Sequence, residues 1–215
     1  MFFLPLSLIF LILFILFLPI LFFLLQIHLA GRAFIKLGIS ANMAMLVIFL
    51  SLLGSAINIP LVTRAADSIV PEMRSFNYLG FPQPTGEQVI AINVGGAIIP
   101  LLICLYLLRK APLGKTIIAI LISSLIVYKL ARPVPMVGVT VPVFIPPLVA
   151  TTLALILSPR NPTPVAYISG VLGVLIGADL MNLGRLSSTP GVMSIGGAGV
   201  FDGIFMVGII SALLG

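Results

Sequence analysis

Charge is what this 215-residue chain has least of: only 7% of its residues are Asp, Glu, Lys or Arg, and only five are acidic. A water-soluble domain devotes about a quarter of its residues to charge. That scarcity, with 60% hydrophobic residues and a mean hydropathy of +1.32, excludes a soluble globular enzyme. Tryptophan is absent and cysteine occurs once, at Cys104. A lone cysteine permits neither an intramolecular disulfide nor a thiolate cluster for a metal. No run of Lys and Arg is interleaved with aromatic residues, so the net charge of +6 points to a lipid surface and not to nucleic acid.

Long hydrophobic runs are abundant. A bilayer core of about 30 Å takes roughly 20 apolar residues per helix, and the chain divides into about seven spans, near 2–25, 41–63, 89–108, 115–131, 146–158, 163–183 and 195–214. The first run lacks the basic start and small-residue cleavage site of a signal peptide and is read as a span. The expected fold is all-α: a polytopic transmembrane helical bundle forming a single integral membrane domain over 1–215, in the plasma membrane of a prokaryote. Assigned to alternate sides, Arg32, Lys36, Arg109, Lys110, Lys115 and Arg160 share one face, and Arg64, Arg74, Lys129, Arg132 and Arg185 the other. The dense "RKAPLGK" link favours the cytoplasm for the first group, which puts the N-terminus outside and the C-terminus inside.

Three features interrupt this pattern. His28 follows the first run and is either a proton carrier or an interfacial polar residue. The polar connection "AADSIVPEMRSFNYLGFPQPTGEQV" holds Asp67, Glu72 and Glu87, and its turn-rich tip reads as a surface loop or a lid. The stretch "RPVPMVGVTVPVFIPPL" carries Pro133, Pro135, Pro142, Pro146 and Pro147, which cannot share one regular helix. It predicts a proline-broken or re-entrant segment, or else an interfacial loop.

Two hairpins, 41–108 and 163–214, share a pattern. Gly54, Asn58 and Arg64 in one correspond to Gly177, Asn182 and Arg185 in the other, and Gly95-Gly96-Ala97 corresponds to Gly196-Gly197-Ala198. This suggests an internal repeat with a site at the interface of its halves, although small residues also serve simply to let helices approach.

The remaining acids, Asp179 and Asp202, lie inside apolar stretches. A carboxylate at membrane depth costs several kcal/mol unless paired, solvated or protonated, which makes both functional candidates. On antiparallel neighbours they reach similar depth, where two close carboxyls share one proton. Such a pair suits three tasks: activating water against a peptide bond, relaying protons for transport, or holding a cation. Around it, Asn182, Gly197, Gly199, Pro146 and Pro147 are the candidate substrate-binding residues. Packing glue is the alternative for both acids. Nothing in the pattern calls for a cofactor or a resident metal. The expected partners are membrane lipids and either a transmembrane peptide substrate or a small solute.

The motifs "GADLMNLGR", "SIGGAGVFDGIF", "NVGGAIIP" and "RPVPMVGVTVPVFIPPL" resemble a bacterial and archaeal family of small polytopic membrane proteins, the domain of unknown function 1614 family. That resemblance covers nearly the whole chain and implies no particular activity. More remotely, the aspartate hairpin resembles intramembrane aspartyl proteases of the presenilin and signal-peptide-peptidase type. That likeness implies peptide-bond hydrolysis, with Asp179 as the first catalytic aspartate and Asp202 as the second. A proton- or cation-coupled transporter or channel using the same two aspartates is the competing expectation.

Overall fold

A computed structural model describes residues 6–65, 87–134, 138–185, 191–197 and 203–215. The lid-like part of the polar connection, Pro135, Gly199 and Asp202 lie outside the described residues. The chain forms α1 (Leu6–Lys36), α2 (Ala41–Gly54), β1 (Asn58–Ala65), β2 (Glu87–Asn93), α3 (Ile99–Leu108), α4 (Leu113–Leu130), β3 (Arg132–Val134), β4 (Gly138–Thr140), α5 (Ile145–Leu157), α6 (Pro162–Val174), β5 (Gly191–Ile195) and α7 (Gly203–Leu214). A π-helical turn, Val94–Ile98, leads into α3; another, Leu175–Asp179, follows α6 and runs into a 3₁₀ turn, Leu180–Arg185. Three continuous helical stretches, Phe10–Lys36, Leu113–Leu130 and Pro162–Arg185, are long and apolar enough to cross a membrane.

α6 is the centre of the bundle. Its side chains are buried almost without exception, from Thr163 to Val174, between α4, α5 and α7. Small residues let these helices meet: a Cβ on Gly173 would lie 2.3 Å from Ser123 Oγ, and one on Gly208 would lie 2.8 Å from Tyr167. α1 is different. It is apolar all round through its first half, exposes Phe10, Phe14 and Phe17, and packs through Ile27, Ala30, Ala33 and Phe34 near its end, where Phe34 meets Phe205 edge-on. A surface with that composition is suited to contact with hydrocarbon.

The basic residues define two faces. Lys36 Nζ donates to Leu213 O at 2.9 Å, Lys110 Nζ to Leu37 O at 3.1 Å, and Asn161 Nδ2 to Lys110 O at 2.9 Å. These bonds gather the ends of α1, α3, α5 and α7 with the starts of α2, α4 and α6 on one face, in agreement with the first charge group. α4 then crosses to the face that carries Lys129 and Arg132. Since Cys104 is buried, introduced cysteines report sidedness. With an impermeant maleimide on sealed vesicles, Lys115→Cys and Arg160→Cys are expected to label from the same side and Arg132→Cys from the other. Labelling of positions 115 and 132 from one side contradicts this topology.

The all-α expectation is corrected by two small sheets. Spans expected at 41–63 and 89–108 are each part helix and part strand, β5 leads into the span expected at 195–214, and the three strands pair with one another in the order β1-β2-β5. β1 and β2 are antiparallel, from Asn58↔Asn93 to Ala65↔Glu87; β2 and β5 are parallel, with Ile92 opposite Ile195. The physical cause is local. "NIPLVTRA" and "EQVIAIN" are rich in β-branched residues, Pro60 forbids a helix through β1, and glycine pairs mark each change of backbone. A non-helical backbone within apolar surroundings needs its polar groups paired internally, and the ladder supplies those pairs.

The proline-rich stretch resolves similarly. Pro133 sits in the β3–β4 hairpin, in which Arg132 faces Thr140, and α5 has Pro146 and Pro147 as its second and third residues, in the first turn, where no intrahelical backbone donor is needed. α5 itself is unbroken.

Candidate functional site

The depth of the sheet follows from helix lengths. α4, with 18 residues, is about 27 Å long and matches a bilayer core of about 30 Å. α2 has 14 residues and α7 has 12, or about 21 and 18 Å. α2 starts at the face that carries Lys36 and α7 ends there, and each covers about two-thirds of the way across. The junctions of helix with strand therefore lie roughly 10 Å inside the opposite face. Asn58, Asn93, Ser194 and Asp179 all sit at these junctions.

Asn93 ends β2 and caps the π turn that follows. Fully buried, it accepts from Gly96 N–H at 2.7 Å, while its Nδ2 donates to Ser55 O at 2.8 Å and to Asn58 Oδ1 at 3.1 Å. These bonds fix the orientation of both amides: Oδ1 of Asn93 must face Gly96 N–H, so the atom of Asn58 facing Nδ2 of Asn93 must be oxygen. That oxygen also lies 2.6 Å from Ser194 Oγ, which is 2.8 Å from Gly197 O. A hydroxyl has one proton, so Ser194 donates to Asn58 or to Gly197 but not to both. Replacing Asn93 by Leu strands the buried Gly96 N–H and removes a donor from Ser55 O and Asn58 Oδ1. An unfolding titration in mixed micelles is expected to show a loss on the order of 3 kcal/mol, and a loss under about 1 kcal/mol removes Asn93 as the organiser of the junction.

After β5 the chain turns sharply at Gly196 and Gly197, with φ of 85° and 68°, a region that side chains with a Cβ rarely enter. The turn aims Gly196 N–H at Asp179, whose Oδ2 accepts it at 3.0 Å. Asp179, half-buried, is the last residue of its π turn. That turn is pressed onto α4: a Cβ on Gly177 would lie 2.3 Å from Ser124 O. The two glycine junctions also touch, since a Cβ on Gly96 would lie 2.0 Å from Gly196 O. Strands from the two similar hairpins thus meet in parallel, with Asn58 and Asn93 from one and Ser194 and Asp179 from the other.

Of the residues expected at the site, Asp179 and Gly197 meet at this junction. Asn182 is fully buried but closes its own turn: its Nδ2 donates to Gly177 O and Ala178 O, both at 3.0 Å, and its Oδ1 accepts from Arg185 at 3.4 Å. The Arg185 guanidinium lies over the Tyr128 ring at 5.2 Å. Pro146 and Pro147 are buried in the first turn of α5. His28 is exposed within α1, which continues past it to Lys36. Gln88, buried in β2, carries no sequence signal beyond being an amide in an apolar run.

Over residues 52–214 the chain matches the family described as "Protein of unknown function (DUF1614)". No curated protein and no solved structure matches.

Proposed function

The chain belongs to this family of proteins of unknown function, and from that premise we propose that it is a membrane-embedded hydrolase of the aspartyl type, acting on peptide bonds through Asp179 and Asp202. One observation carries the reading: the Asp179 carboxylate is bonded to the backbone of Gly196, in the segment that leads directly to Asp202. The bond ties the two aspartate-bearing segments together at a depth where a carboxyl is expensive to keep without a use.

In the proposed reaction one carboxylate takes a proton from water as its oxygen attacks the peptide carbonyl, and the protonated partner gives its proton to the departing nitrogen. Gly196 N–H orients Asp179 for this. β5, an outer strand of the sheet, runs into the same glycine turn. Asn182 and the buried prolines of α5 serve the surroundings of the site and do not contact the reacting atoms. The proposed setting is the plasma membrane of a prokaryote, with a transmembrane peptide as substrate.

A second reading, proton- or cation-coupled transport, rests on a different observation. Spans broken at Gly54-Ser55, Gly95-Gly96 and Gly196-Gly197 meet at the buried amide of Asn93 and the more open Asn58 and Ser194, an arrangement suited to a solute or ion site between repeats. Purified protein in liposomes separates the two. Cleavage of a model transmembrane peptide, with product masses that locate one bond, supports hydrolysis. Proton or cation flux without cleavage replaces it with transport.

A further inference from the structure

At the end of α4 opposite the face that carries Lys36, a cavity of about 470 Å³ is lined by Lys129, Leu130, Arg132, Thr140, Val141 and Pro142. Its two cations have no hydrogen-bond or ion-pair partner for their side chains among the described residues. On the opposite face Lys36 and Lys110 are both committed to backbone carbonyls, and beside Tyr128 the Arg185 guanidinium is engaged by the ring and by Asn182. Thr140 gives its proton to Arg132 O at 3.1 Å, a bond to the backbone that does not engage the guanidinium. Two uncommitted cations on a concave surface are matched by an anion with several acceptor oxygens.

The level of the cavity narrows the choice. α4 is about as long as the bilayer core is thick, so Lys129, in its last turn, reaches the layer of lipid phosphates. Leu130, Val141 and Pro142 give the cavity an apolar wall, and the next residues, Val143 and Phe144, are 54% and 70% exposed. A ligand that is anionic at one end and apolar below satisfies both parts. We infer that this cavity binds the phosphate of an acidic phospholipid headgroup between Lys129 and Arg132, with the acyl chains running down beside Leu130 and Phe144.

The test uses the full chain in a neutral detergent, titrated with phosphatidylglycerol, with phosphatidylcholine of the same chains, or with inorganic phosphate. Phosphatidylglycerol is expected to raise Tm by roughly 5 °C at a hundredfold excess over Kd. Phosphatidylcholine and inorganic phosphate are expected to have little effect. The double change Lys129→Gln with Arg132→Gln abolishes the rise, while Lys129→Arg with Arg132→Lys keeps it, which shows that charge and not folding is responsible. Lys115→Gln with Arg160→Gln, on the other face, leaves it intact. An equal loss in that last variant reduces the effect to diffuse charge attraction and overturns the site. An equal rise with inorganic phosphate, or with phosphatidylcholine, overturns the assignment to an acidic lipid.

Discussion

Asp202→Asn protein reconstituted in liposomes is expected to cleave a model transmembrane peptide at least about 100-fold more slowly than the native chain, and Asp179→Asn to match it. General acid and base catalysis contributes about 10² to 10⁴ in rate, and the two residues act as one unit, so the double variant should be no slower than either single one. Folding is a separate matter. The Asp179→Asn amide keeps an oxygen able to accept Gly196 N–H, so its Tm is expected to stay within a few degrees of native. A variant that folds and cleaves normally removes its aspartate from the chemistry.

The second large effect concerns backbone approach. In Gly96→Ala the new Cβ would lie 2.0 Å from Gly196 O, far inside van der Waals contact, and the obstructing atom is backbone. The two junctions must separate, and with them Gly196 moves away from Asp179. The expected cost is about 3 kcal/mol or more, together with loss of activity beyond what the stability change explains. Gly114→Ala is the matched control: a Cβ there meets nothing within 4 Å and lies at the start of α4, so stability should change by less than about 1 kcal/mol. Equal behaviour of the two variants, read by unfolding in mixed micelles, argues against the close crossing.

Much of this architecture is legible in the chain. α4, α5 and α6 fall within a few residues of the expected spans because each is an uninterrupted apolar run with a proline at or just before its start. The two-faced distribution of lysines and arginines follows from the same alternation. What escapes a reading by apolar length is the change from helix to strand inside one run. Length counts hydrophobic residues and is blind to period, and "EQVIAIN" followed by "VGGAIIPLLI" has enough of them for one span. The cues were the β-branched residues, Pro60 and the glycine pairs, which serve helix packing as naturally as they serve a turn. The matching of Gly95-Gly96 with Gly196-Gly197 was visible in the sequence, but that the two pairs touch, and that Asp179 reaches Gly196, depends on the parallel pairing of β2 with β5. That pairing joins segments far apart in the chain, and no local pattern specifies it.

The most direct test of the central claim is whether residues 179 and 202 adjoin in the folded membrane protein. In a Cys104→Ser background, the pair Asp179→Cys with Asp202→Cys is oxidised in native membranes and scored for an intramolecular disulfide, with Thr63→Cys and Val89→Cys, which face each other on the adjacent strands β1 and β2, as the positive control. Disulfide formation needs Cβ atoms within about 4.5 Å. A bond forming at 179–202 as readily as at 63–89 is the predicted result. A control that closes while 179–202 stays reduced contradicts a shared proton between the two aspartates, and with it the hydrolase.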